Sequence, residues 1–92
     1  MTRIVVKELV WDENNLNHIK KHDVSVGEVE EVGGNFVYHR KTYKERYLTI
    51  GRSGSRMITL ILKRISMGKY YPISARDSSK KERRAVYEKE KK

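Results

Sequence analysis

The run Met57-Ile58-Thr59-Leu60-Ile61-Leu62 is the most restrictive stretch of this 92-residue sequence. A nearly continuous apolar run of this length reads as a strand buried on both faces. Arg56–Arg64 is therefore predicted to be a central strand. Ser53-Gly54 just before it reads as a tight hairpin turn, which pairs it with a strand over Arg46–Gly51. Phe36–Arg40 is a further short strand. Ser66-Met67-Gly68 turns the chain into a last strand over Lys69–Ala75. Pro72 has no N–H to give to a ladder, so this strand is expected at an edge or bulged at the proline.

The helices are announced by their caps. Ile4–Trp11 reads as a first strand, and Asp12 then caps a helix on which Leu16 and Ile19 keep a helical spacing. Asn15, His18 and His22 fall on a neighbouring stripe. Ser25-x-x-Glu28 is a capping box, opening a second helix to about Val32 that Gly33-Gly34-Asn35 is expected to stop. Ser79-x-x-Glu82 is another, opening a C-terminal helix to about Glu88. That helix has only Ala85, Val86 and Tyr87 as apolar anchors, so weak docking is expected. The fold class is α+β in one domain, 1–92. It has two N-terminal helices, a mostly antiparallel four- to five-stranded sheet and a C-terminal helix.

Charge is distributed unevenly. Residues 1–35 carry 4 basic and 7 acidic side chains, whereas residues 36–92 carry 17 basic and 5 acidic. A half with net charge +12 suits phosphate, because neutralising phosphates releases condensed counterions. A solvated basic surface is the plainer reading of a charge run. The cations lie on predicted strands as well as on the tail, which favours a binding face. The sequence has no cysteine, hence no thiolate nucleophile and no Cys-based zinc site. It has neither a long apolar run nor a signal-peptide pattern, so a cytoplasmic protein without a membrane partner is expected.

Three segments, taken together and in order, resemble the BrnT family of type II toxins, in a shorter and divergent branch. The first is Trp11-Asp12-Glu13-x-Asn15-x-x-His18-Ile19-x-x-His22-x-Val24. The second is Arg46-Tyr47-Leu48-x-Ile50-Gly51. The third is Ile73-Ser74-Ala75-Arg76-Asp77, followed by Glu82-Arg83-Arg84 and Tyr87. The commoner family pattern has Lys-His-Gly after the first helix; here Lys21-His22 is followed by Asp23. The resemblance implies a RelE-like fold and metal-independent RNA cleavage that arrests translation. It also implies a BrnA-like antitoxin encoded alongside as partner. No cofactor or metal is expected. The alternative is a non-catalytic basic module that binds nucleic acid or docks an acidic partner.

Such a ribonuclease must deprotonate a ribose 2′-OH, stabilise charge on the phosphate and protonate the leaving oxygen. A planar guanidinium fork suits the phosphate, and Arg46 and Arg76 are the candidates. An ion pair with Glu45, Asp77 or a glutamate of the second helix would explain either one structurally. His22 is the candidate for proton transfer because imidazole titrates near neutrality; a histidine stabilising a helix C-terminus is its plainer role. Tyr87 is a candidate stacking group or acid, as in RelE-like enzymes, and otherwise a packing anchor. Glu82 is explained by its capping box. Lys63, Arg64, Lys80, Lys81, Arg83 and Arg84 are candidate phosphate contacts. His18 and His22 have the i, i+4 spacing of a metal pair, but no third ligand accompanies them.

Overall fold

The computed structural model describes residues 4–91, and in it a five-stranded sheet separates two helices on one face from a third on the other. The elements are β1 (Glu8–Leu9), α1 (Glu13–Lys21), α2 (Val26–Gly34), β2 (Phe36–Lys41), β3 (Arg46–Ser53), β4 (Arg56–Ser66), β5 (Lys69–Asp77) and α3 (Lys80–Glu90). The sheet order is β1-β5-β4-β3-β2, with β4 central. All neighbours are antiparallel except β1 and β5, which are parallel.

Alternation along the strands sorts the side chains into two cores. Tyr47, Ile58, Leu60, Leu62, Tyr70 and Ala75 point to the face that α1 and α2 cover with Ile19, Val24, Val29 and Val32. Leu48 and Ile50 point the other way, where Val86 of α3 packs on them. The α1–α2 face is therefore the main core, and α3 closes a smaller one. A large part of the second face, toward Arg46 and Lys63, lies outside this smaller core.

All three helix starts are built as their sequences announce. Asp12, Ser25 and Ser79 each accept from the backbone N–H three residues on, and Asn15, Glu28 and Glu82 return the bond to the cap backbone. Other features differ from the sequence reading. The first strand shrinks to Glu8–Leu9, held by N–H bonds from Lys7 and Glu8 to the Gly68 carbonyl. Gly33 and Gly34 lie inside α2, and Asn35 caps it. For Pro72 the second of the two expected settings holds: it is fully buried and is not on the sheet edge. It follows the end of the short β1 ladder and sits at a bulge opposite Leu62, where no N–H is required. The C-terminal helix is anchored by a completely buried Val86, and Arg52 of β3 grips Glu90 with both guanidinium ends. One buried contact and a clamp at the far end do the work that the apolar pattern did not reveal.

Candidate nucleic-acid interface

The open face of the sheet carries a graded set of cations. Arg46 pairs with Lys63 across β3 and β4, and Thr59 pairs with Arg76 across β4 and β5. Arg46 alternates with Leu48 and Ile50 of the smaller core, and Arg76 stands beside Thr59, whose hydroxyl meets α3. Both arginines therefore project from the α3 face. Four residues along a strand and two strands across put their Cα atoms roughly 17 Å apart.

Their electrostatic states differ. Arg76 forms a bidentate pair with Glu82, Nη1 to Oε1 at 2.7 Å and Nη2 to Oε2 at 2.8 Å. Thr59 Oγ1 and the Ser79 N–H also donate to Glu82 Oε1, at 2.9 and 2.8 Å. With Arg76 first among the causes, the Glu82 carboxyl is held down to about 2. The ion-pair partner of Arg76 is thus the capping glutamate and none of the three acids expected from the sequence. Glu82 serves as cap and counter-ion at once. Arg46 makes no ion pair among the described residues. Its Nε is buried with no acceptor, and its guanidinium carbon lies 5.8 Å from the centre of the Tyr43 ring. That Nε is closed to solvent, so an anion can meet this unpaired cation only through its terminal nitrogens.

A cleft of about 220 Å³ runs between β2–β3 and the start of α3. Leu48 and Ile50 form its floor, Tyr38 and Arg40 stand on one side, and Lys81 with Glu82 on the other. Lys80, Arg83 and Arg84 are exposed on the same N-terminal half of α3. Lys63 is exposed on the open sheet face, while Arg64 alternates to the opposite one beside Tyr70. Of the six expected phosphate contacts, Arg64 therefore departs from the shared surface.

His22 is not brought to the arginines. It is the C-cap of α1, on the face opposite Arg46 and Arg76, with its ring 5.3 Å from that of His18. The fold thus separates His22, the candidate for proton transfer, from the two candidate arginines, because α1 docks through Ile19 on the main core. Tyr87 lies half exposed on α3 close to Arg52, away from Arg46, and Val86 is the packing anchor in its place.

Arg56 was invisible to sequence reasoning, because its partners come from three separate segments. Its Nε and Nη2 bind Asp77, Nη1 binds Glu28 and the Asp23 carbonyl, and Nη2 also reaches the His22 carbonyl. It ties the end of α1, the start of α2 and two strands together behind the open face.

No family model matches the chain, and no curated protein matches it. Among solved structures, BrnT, a ribonuclease toxin of Brucella abortus, is similar at 25% sequence identity with a TM-score of 0.61. The match covers 79% of this chain and 97% of that one. The three segments that resemble BrnT in sequence thus lie in a chain whose fold also matches BrnT.

Proposed function

We propose that this chain, which is BrnT-like, is an endoribonuclease toxin of a type II toxin–antitoxin system. It cleaves RNA without a metal ion, arrests translation in the cytoplasm and is neutralised by a BrnA-like antitoxin encoded next to it. The observation that carries this reading is Arg46: part-buried, without a carboxylate partner among the described residues, and paired across the sheet with Lys63 on an open face. An anion with several oxygens completes that site, and an RNA phosphate is such an anion. Among the described residues, no helix is long and apolar enough to cross a membrane.

In this reading a single RNA strand crosses the open face from Arg46 and Lys63 toward Arg76. At that separation the two arginines serve different, non-adjacent phosphates of the strand. Arg46 stabilises charge at the scissile group directly, since nothing has to be displaced from it. Arg76 is preset by Glu82, which fixes the fork but also neutralises it. Lys80, Lys81, Arg83 and Arg84 extend the positive surface along α3 and add affinity without sequence preference. His22 and Tyr87 stand outside this track, so the roles carried by the face are phosphate binding and charge stabilisation.

The Arg76–Glu82 pair is the observation that favours the second reading, a non-catalytic RNA-binding module, because one of the two forks is already occupied. Expression with and without the adjacent gene product separates the readings. Growth arrest with RNA fragmentation, both relieved by the neighbour, is the expected result. Binding to RNA with neither effect would establish the module.

A further inference from the structure

The connection between β2 and β3 is a hairpin turn made with unusual residues. Lys44 and Glu45 have φ angles of 55° and 61°, and the Arg46 N–H donates to the Tyr43 carbonyl at 3.2 Å. Two central residues in the left-handed region, closed by that bond, form the turn that normally takes Asn-Gly. Side chains with a Cβ are sterically penalised there. Strain of this kind persists where the surroundings enforce it, and it gathers at binding sites.

What the turn achieves is to set Tyr43 against Arg46. The guanidinium sits 5.8 Å from the ring centre, while Tyr43 is 67% exposed. Two tyrosines of the sheet behave differently: Tyr47 and Tyr70 are 2% exposed and meet edge to face in the main core. Tyr43 is thus a large ring held in water by a strained turn, steadied from one side by a cation. Beside it lie the Arg46 guanidinium, which has no ion-pair partner among the described residues, and the exposed Lys63.

We propose that Tyr43 and Arg46 form a stacking platform for one unpaired base of the RNA, with Arg46 and Lys63 taking the adjoining phosphate. The inference rests on the ribonuclease reading and sharpens it, because it names single-stranded RNA as the substrate class. Every base has a π face, so such a platform is tolerant of sequence. In a duplex those faces are already stacked on their neighbours, and the platform has nothing to receive.

The test is binding of a short, uncleavable 2′-O-methyl RNA carrying one fluorescent purine, as a single strand and as a blunt duplex. The full chain is compared with Tyr43→Phe and Tyr43→Leu, and thermal unfolding checks that each variant is folded. The full chain should bind the single strand more tightly than the duplex and quench the purine. Tyr43→Phe should keep both properties. Tyr43→Leu should lose the quenching and weaken single-strand binding about 5- to 100-fold. Equal binding by the folded Tyr43→Leu variant, or equal affinity for the duplex, overturns the platform while leaving the ribonuclease reading in place. Failure of the full chain to bind either RNA overturns the ribonuclease reading, and the platform with it.

Discussion

Glu82 holds the Arg76 guanidinium by both ends, at 2.7 and 2.8 Å, while completing the cap of its own helix. Its carboxyl drops from an ordinary value of 4.5 to about 2. A carboxylate with a lower pKa in the folded than in the unfolded chain stabilises the fold fully above the unfolded value. That contribution is lost as the pH falls through the folded value. Stability should therefore decline between about pH 4.5 and about pH 2. Glu28, lowered first by the Ser25 N–H and then by Arg56, and Asp77, lowered by Arg56, add to the same acid limb. Glu82→Gln should shrink that limb and cost about 1.5–3 kcal/mol at neutral pH, as charged hydrogen bonds do. Denaturant unfolding across the pH range measures both effects.

Arg46 and Arg76 should separate in stability measurements even where both matter for activity. Arg76→Ala leaves the Glu82 carboxylate without its counter-ion, and should cost about 1–3 kcal/mol. Arg46→Ala removes a buried Nε that has no acceptor, so unfolding should shift by less than about 0.5 kcal/mol in either direction. His22→Ala, on the opposite face, should leave RNA cleavage within about twofold of the parent, far from the 100-fold or more lost with a general acid or base. A large loss in a folded His22 variant would place the imidazole back in the chemistry.

Arg56 should be the most sensitive surface-accessible arginine. Each of its donor groups is used, and its partners span both N-terminal helices and β5. Arg56→Lys keeps the charge but cannot fork. A loss of about 1.5–3 kcal/mol is expected in thermal or denaturant unfolding, with RNA binding by the remaining folded protein unchanged.

What was legible in the sequence was what is local. Asp12, Ser25 and Ser79 announce helix starts because a cap and its return partner are three residues apart, and all three caps form. Met57–Leu62 announces the central strand because burial on both faces removes the polar alternation. Long-range pairings left no trace. Arg56 meets residues 28 and 77, and Arg52 meets Glu90, at separations that no periodicity encodes. The placement of His22 failed for the same reason: a helix end is readable, but the face on which the helix docks is set by Ile19 in three dimensions. The Tyr43–Arg46 contact is local yet was also missed, because Lys44-Glu45 is the wrong chemistry for the turn that it makes.

That turn makes its own prediction. Replacing Lys44-Glu45 by Asn-Gly lowers the left-handed penalty at the first position, removes it at the second and should raise stability by about 1–2 kcal/mol. Tyr43 and Arg46 keep their places, so single-strand binding should survive. Loss of stability would mean that Lys44 or Glu45 makes a contact worth more than the strain.

RNA cleavage by the purified chain in the presence of a metal chelator, with and without Arg46→Ala, tests the account most directly. The parent should fragment single-stranded RNA. The folded variant should do so about 100- to 1,000-fold more slowly, as when a single charge-stabilising donor is lost. Intact RNA with the parent, or equal cleavage by the folded Arg46→Ala variant, would contradict it.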